Sequence, residues 1–276
     1  MSEKFPPPEI VSARWLRRAL TAGLIGALAA NLWIAFGLVQ QERSSARERD
    51  FWMLCQPGST PAEREVAFRH LVAAGNREWR SADLRGLNLA GVSLAGADLQ
   101  SAVFLRANLA GSDLSEVKLS GGTLELADLT GASLAHATLI ETRLLRAILK
   151  GASLRGASLR ASSLQQVVAE GADLMVSDLS DADCLMANLA GANLAGANLA
   201  GAKLESAVLK NTNLSLARFD GADLTDADFT NANWWRARGL TTKQLAVLRE
   251  KYSPTATADL ALKEDYARWA EAPLPH

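Results

Sequence analysis

The sequence predicts an all-β solenoid, a tube in which the chain turns four corners in every coil. Starting at Leu84 and stepping by five residues gives 31 positions ending at residue 234, of which 25 are leucine. Two residues before each of them lies a second set, from 82 to 232, in which 21 of 31 residues are alanine. Glycine or asparagine recurs every 20 residues from position 91 to position 231, and both tolerate the positive φ of a tight turn.

A period of five residues fits neither an α-helix nor the alternation of a strand, so the chain must turn in each unit to keep its leucines on one side. The leucine and the alanine of each unit are then expected to point inward. Four units make one coil, coils stack at about 4.8 Å, and the 31 units give about eight coils. The core positions singled out are Leu84, Leu89, Leu94, Leu99, Phe104, Leu109, Leu174, Leu189, Leu194 and Leu199.

Units such as Ala97-Asp98-Leu99, Ala107-Asn108-Leu109 and Ala172-Asp173-Leu174 resemble those of the pentapeptide-repeat family. The resemblance covers residues 82–236 and implies a right-handed quadrilateral β-helix. It also implies that a C-terminal helix serves as a lid or a dimer contact, which leaves a homodimer through the C-terminal helices open. Some members of the family protect DNA gyrase from quinolones by imitating the DNA duplex.

An apolar segment precedes the repeats. Residues 19–39 contain no charge over 21 residues, about the length that crosses a bilayer, and predict a transmembrane helix behind a basic N-terminus, 1–18. Lysine and arginine number four before the segment and three after it, which favours a cytoplasmic N-terminus and a single-pass protein of a bacterial inner membrane. Two alternatives stay open: a signal peptide cleaved at Ala27-Leu28-Ala29, and a buried helix of a soluble domain.

Helices are expected to cap both ends of the solenoid, since a stacked coil leaves unpaired edges. After a linker, 40–60, the segment Thr60-Pro61-Ala62-Glu63 forms a capping box that opens a helix over 61–75. Its side formed by Val66, Ala67, Leu71 and Ala74 is expected to cover Leu84 and Leu89. Beyond the last coil, residues 240–276 are expected to form C-terminal capping helices and a tail.

The residue types that carry chemistry are scattered. Of the three histidines, His70 lies on the capping helix, His136 at a corner and His276 at the end of the chain, so none has a nucleophile or a carboxylate at useful spacing. Cys184 takes an inward leucine position, and Cys55 lies before the capping helix. Runs of aspartate suggest calcium, but such residues are expected to satisfy turn backbone groups instead. We therefore expect no enzymatic activity, no cofactor and no metal.

The outward residues predict a partner surface on one side of the rod, where apolar side chains stand beside arginines. Its candidate residues are Val103, Leu105, Arg106, Leu126, Arg143, Leu145, Arg146, Ile148, Leu185 and Met186. Residues 81–236 carry 17 acidic and 12 basic side chains, and five of the basic ones fall within 143–160.

The leading functional hypothesis is a membrane-anchored, non-enzymatic rod that binds a protein partner, with no nucleic acid expected. The alternative is a DNA-mimicking protein of the gyrase-protecting type. A basic belt in the middle of the rod argues against it, because a duplex mimic must be continuously acidic.

Overall fold

The computed structural model describes residues 46, 48–50, 53–54, 58–254 and 258–271. The chain divides into two compact units, Met1–Trp52 and Met53–His276, and the fold below belongs to the second. The apolar segment 19–39 and Cys55 lie outside the described residues. Among the described residues, no helix combines the length and the apolar character that crossing a membrane requires.

Parallel bridges between residues 20 apart define the solenoid. They run from Glu78↔Asp98 to Arg218↔Arg238, in steps of five residues over most of that length. Each wall is therefore a single bridge wide, and four walls complete a coil. The Leu84 amide donates to the carbonyl of Val103 at 2.8 Å, and the Val103 amide donates back to Ala82 at 2.9 Å. This exchange repeats from coil to coil, so the backbone of each wall is satisfied by its neighbours above and below.

Every corner between walls is a tight turn with a positive φ. The Ala82 amide donates to the Trp79 carbonyl at 3.1 Å, and the same bond recurs at every later unit except that of Thr212. All 31 corner residues from 81 to 231 have φ between 54° and 69°, although only 13 of them are glycine. A left-handed conformation costs other residue types about 1 kcal/mol. The regular bonding between coils outweighs this local preference.

Inward side chains fill the axis of the tube. The ten core positions singled out from the sequence are all buried. Where a unit departs from the pattern, the volumes offset one another: Ala169 replaces a leucine while Val167 replaces the alanine of the same unit, and both side chains are buried. Of the 31 axial positions from 84 to 234, all lie among the described residues, and Leu224 alone is not fully buried.

Helix α1, Pro61–Ala73, covers the first coil. Thr60 caps it, and Thr60 and Glu63 form the capping box expected from the sequence. Its buried side consists of Ala67, Phe68, Leu71 and Val72. The expectation that Val66 and Ala74 face the coil is wrong, because both are exposed and the helix is rotated so that Phe68 packs on Trp79, with ring centroids 4.4 Å apart.

Two arginines of α1 donate hydrogen bonds to the first coil, which has no coil below it. A guanidinium nitrogen of Arg69 donates to the carbonyl of Asn88 at 2.8 Å, and one of Arg64 donates to the carbonyl of Asp83. Each arginine lies 19 residues before its acceptor, which is the separation between the donor amide and the acceptor carbonyl inside the rod. The side chains thus take the hydrogen-bonding place of backbone amides at the edge.

The far end is closed by three short elements. A 3₁₀ turn, Trp234–Arg236, ends the last coil and is followed by helix α2, Thr242–Tyr252, and helix α3, Leu260–Glu271. Trp234 packs edge-on against Trp235 and Trp269, with centroids 5.7 and 5.5 Å apart. The Trp234 indole also donates to the Tyr252 carbonyl at 3.0 Å. These contacts tie both helices to the end of the axial core.

Candidate interaction surface

The outward residues of one wall, with its following corner and the start of the next wall, form a continuous side of the rod. We call this side the arginine wall. It contains all ten residues that the sequence singled out: Val103, Leu105, Arg106, Leu126, Arg143, Leu145, Arg146, Ile148, Leu185 and Met186. Within a column their numbers differ by multiples of 20, so the bridges between coils stack them in a few parallel columns.

Apolar side chains of the arginine wall are accessible at its corner and on the adjoining strand. Leu126, Ile148 and Met186 are 38%, 39% and 54% exposed. Leu105, Leu145 and Leu185 are half-buried and occupy every second coil of one column, so they lie about 10 Å apart. An apolar surface that spans several coils of a rigid sheet is typical of protein-binding sites.

Positive charge accompanies these apolar residues. Arg106, Leu126 and Arg146 occupy the same corner in successive coils, so the leucine lies between two exposed guanidinium groups. Within the described part of the chain, neither Arg106 nor Arg146 has an ion-pair partner. Arg143 pairs with Glu125 at 2.7 Å; the Glu125 side chain is only 20% exposed, but that of Arg143 is 67% exposed and remains accessible from solvent. All three arginines are therefore available to an acidic partner.

The coil formed by residues 141–160 carries basic residues on all four walls. Arg143 and Arg146 lie on the arginine wall, and Lys150, Arg155 and Arg160 follow on the next three walls in turn. Lys150 pairs with Glu170 of the following coil at 3.3 Å. The middle of the rod is therefore encircled by a basic belt, with acidic residues beyond it from 170 to 183.

The structure gives the chemically reactive residue types structural roles. Cys184 is buried on the axis, and burial together with nearby Asp183 raises the pKa of its thiol to about 12. His136 is a corner residue with a positive φ. Among the described residues, no three His, Cys, Asp or Glu side chains come together as a metal site.

Aspartate and asparagine before the axial leucine stabilise the turns. The Asp173 carboxylate accepts the backbone amide of Met175 at 3.1 Å, and equivalent bonds recur along the rod. Amide side chains also bond from coil to coil, as Asn198 does to Asp178 at 3.0 Å. Since these oxygens accept from backbone amides and from asparagine side chains of the next coil, the runs of aspartate stabilise the fold.

Two exposed apolar corners outside the arginine wall did not emerge from the sequence. Val176 and Leu216 are 61% and 57% exposed, and they belong to one corner column with Gly196 between them. Their positions in the five-residue unit are enough to predict this exposure, because the second residue after each axial position is a corner that points to solvent.

The fold and this surface indicate the class of protein to which the chain belongs. It is a rigid solenoid with an exposed outer surface, and its described residues form no catalytic constellation. The pentapeptide-repeat model matches residues 82–121, 127–166, 157–196 and 197–233, with eight copies. These segments make up more than half of the chain. The protein therefore belongs to the pentapeptide-repeat family, whose members are generally structural or binding proteins.

Several solved structures are similar to parts of the chain. A trypsin-treated form of QnrB1, a plasmid-mediated fluoroquinolone resistance protein, is 18% identical and aligns with 70% of this chain and 97% of its own, with a TM-score of 0.40. A pentapeptide repeat protein from the Arabidopsis thaliana thylakoid lumen is 27% identical over 48% and 82%, with a TM-score of 0.27. One from the cyanobacterium Cyanothece 51142 is 22% identical over 58% and 95%, with a TM-score of 0.20.

No curated protein matches the sequence. The family assignment therefore rests on the repeat match and on the 20-residue period of the bridges, and not on overall superposition with any one relative.

Proposed function

We propose that the protein is a membrane-anchored, non-enzymatic rod that binds an acidic protein partner through the arginine wall. The observation that carries the proposal is the corner column in which exposed Leu126 lies between the exposed side chains of Arg106 and Arg146. An apolar centre flanked by positive charges fits a partner surface with an apolar contact flanked by carboxylates.

A solenoid suits this role because its surface is fixed before the partner arrives. Backbone groups of the inner coils are bonded on both sides, and the axial side chains are packed. Little conformational entropy is therefore lost when a partner binds, which favours affinity for a given contact area. The segment 19–39 would hold the rod at a membrane surface, where its partner also lies.

The proposal is tested by cross-linking the rod in its cells of origin. A photo-reactive amino acid at position 126 should give one discrete adduct, which mass spectrometry then identifies. The same amino acid at position 216, an exposed corner outside the arginine wall, should not give that adduct. Replacing Arg106, Arg143 and Arg146 together by glutamate should abolish the adduct formed from position 126, because three attractive charges become repulsive.

The matched control reverses three exposed basic residues elsewhere on the rod: Lys118→Glu, Arg155→Glu and Arg160→Glu. It changes the net charge by the same amount but leaves the arginine wall intact, so the adduct should persist. An adduct that survives reversal of the arginine wall, or that disappears equally in the control, would contradict the proposal.

The alternative function, imitation of a DNA duplex, is not supported by the charge distribution. The basic belt of the coil 141–160 interrupts any acidic track along each of the four walls. Purified protein that protected or inhibited gyrase supercoiling would nevertheless restore that alternative and displace the arginine wall as the main functional surface.

A further inference from the structure

A cavity of about 400 Å³ lies at the C-terminal end of the rod, on the same side as the arginine wall and two coils beyond Met186. Its floor is the last coil, over residues 222–227, and its wall is helix α2 with the preceding Thr241. Apolar side chains of Leu224, Val247 and Leu248 line it together with Lys243 and Lys251.

The floor of this cavity is an unfinished sheet edge. In the coil below, the Leu204 amide donates to Asp223 at 2.8 Å and the Ser206 amide donates to Thr225 at 2.9 Å. The equivalent donors one coil later are the amides of Leu224 and Asp226. Within the described ranges, neither finds an acceptor. Two backbone donors, spaced two residues apart on one strand, thus border the cavity.

The axial core is also open at this place. Leu224 is the one axial residue from 84 to 234 that is not fully buried, whereas Phe229 and Trp234 of the same coil are covered. Tyr252 packs near Phe229, with centroids 6.0 Å apart, so the C-terminal helices close the neighbouring walls and leave the Leu224 wall only partly covered. An apolar side chain placed above Leu224 would continue the core.

One bond of the missing wall is already made by a side chain. Inside the rod the carbonyl of Ala202 accepts the amide of Asp223, and the equivalent carbonyl one coil later is that of Ala222. That carbonyl accepts the side-chain amide of Gln244 at 3.0 Å. The side chain of Gln244 thus replaces the backbone amide that a further wall would donate to Ala222. The amides of Leu224 and Asp226 are left without acceptors within the described ranges.

We propose that this cavity binds an extended peptide segment, which adds one further wall to the end of the solenoid. Two of its carbonyl oxygens, two residues apart, accept from the amides of Leu224 and Asp226, and one apolar side chain between them lies on Leu224. Strand addition of this kind obtains its affinity from main-chain bonds and its specificity from the alternate side chains.

The protein's own repeats indicate which peptide fits. Residues 201–207, with the sequence GAKLESA, form the wall directly below the floor of the cavity. A second copy of this segment above Leu224 would again place its leucine on the axis and its lysine beside Asp223. A peptide in which the lysine and leucine are exchanged, GALKESA, keeps the composition and the carbonyls but turns the leucine outward.

The experiment titrates the full chain with the acetylated and amidated peptide GAKLESA and follows backbone hydrogen exchange. In the free chain the amides of Leu224 and Asp226 should exchange faster than those of Leu204 and Ser206. Saturating peptide should slow exchange at Leu224 and Asp226 at least about tenfold, because these amides become hydrogen-bonded. The peptide GALKESA should bind at least about tenfold more weakly, since it loses the apolar contact.

A pair of variants locates the site. Val247→Trp fills the cavity from an exposed position on α2 and should abolish binding. Val66→Trp makes the same change at an exposed position of α1 and should leave binding unchanged. Circular dichroism verifies that both variants fold. Binding that survives Val247→Trp, equal binding of both peptides, or Leu224 and Asp226 amides as slow as their equivalents in the free chain would each overturn the proposal. Reversal of charge on the arginine wall should not affect this binding.

Discussion

Gly122 shows how a single inward residue is matched to its neighbour in the next coil. It occupies a position that is usually alanine, and a Cβ there would lie 2.9 Å from the Leu119 carbonyl oxygen and 3.1 Å from that of Ala102. Thr142, one coil later in the same column, is fully buried, and its hydroxyl donates to the same Leu119 carbonyl at 3.0 Å. Both residues therefore meet at the Leu119 carbonyl: glycine at 122 leaves space beside it, and the hydroxyl of Thr142 bonds to it.

We therefore expect Gly122→Ala to destabilise the rod by about 1–3 kcal/mol, because the added methyl group meets backbone atoms on two sides. The direction of the change in the free energy of unfolding distinguishes this position from an ordinary glycine. Gly→Ala at an unstrained position usually stabilises a protein, by about 0.4–1 kcal/mol through the unfolded state. Chemical denaturation of the full chain measures the difference.

Gly58→Ala is the matched control, since nothing lies within 4 Å of a Cβ at that position. It should be neutral or slightly stabilising. Equal effects of the two substitutions would mean that the contacts around Gly122 relax without cost.

Among the elements, the C-terminal cap depends on one carboxylate. Asp265 of α3 accepts from the Trp235 indole at 2.8 Å and from Nε of Arg236 at 2.9 Å. The hydrogen bond with Arg236 is the main reason that the pKa of Asp265 lies below its ordinary value, although partial burial opposes the shift. The charged carboxylate thus joins α3 to the 3₁₀ turn that ends the last coil.

A folded-state pKa below the unfolded one means that the stabilisation is complete above the ordinary pKa of an aspartate and is lost as the pH falls through the folded value. We expect Asp265→Asn to lower stability at neutral pH by about 1 kcal/mol, a figure reduced because Arg236 is partly exposed. The difference between the two proteins should shrink as the pH falls and vanish once Asp265 is protonated in the folded protein.

Thermal melting over a descending pH series measures this difference. Asp181→Asn, at an exposed corner away from the cap, is the control and should change stability little at any pH. A constant deficit of Asp265→Asn at all pH values would show that the charge of the carboxylate is not what stabilises the cap.

The elements also show why some features were predictable and others were not. The corners and the axial residues follow from the five-residue period alone, because every unit repeats the same backbone and the ladder imposes it even on Leu126 and Met186. Helix α1 has no such repetition. Its apolar residues are distributed almost evenly around it, so the side that packs is decided by contacts such as Phe68 on Trp79. The open end at Leu224 likewise depends on where the C-terminal helices come to lie.

On the scale of the whole molecule, regular stacking makes the rod a rigid spacer. Bridges continue from residue 78 to residue 238 in one register, and no unit of the repeat is interrupted by an insertion. Residues far apart in the sequence thus keep fixed relative positions, as Arg106 and Met186 do four coils apart. A fixed face of this kind is useful only if its partner shares the same compartment, so the proposed membrane anchor raises the question of which side holds the rod.

The charges around residues 19–39 predict that side. Four basic residues precede the segment and three follow it, so the positive-inside rule predicts, by one charge, a cytoplasmic N-terminus with the repeats on the opposite side. In intact spheroplasts, added protease should therefore remove a C-terminal tag while a cytoplasmic marker survives.

Two pairs of substitutions test the charge bias. Arg14→Gln with Arg17→Gln leaves two basic residues before the segment and should invert the chain, which protects the tag. Arg47→Gln with Arg49→Gln strengthens the original bias and should leave the tag accessible. If the tag of the unaltered chain were degraded only after lysis, the rod would lie in the cytoplasm, and the search for its acidic partner would move there.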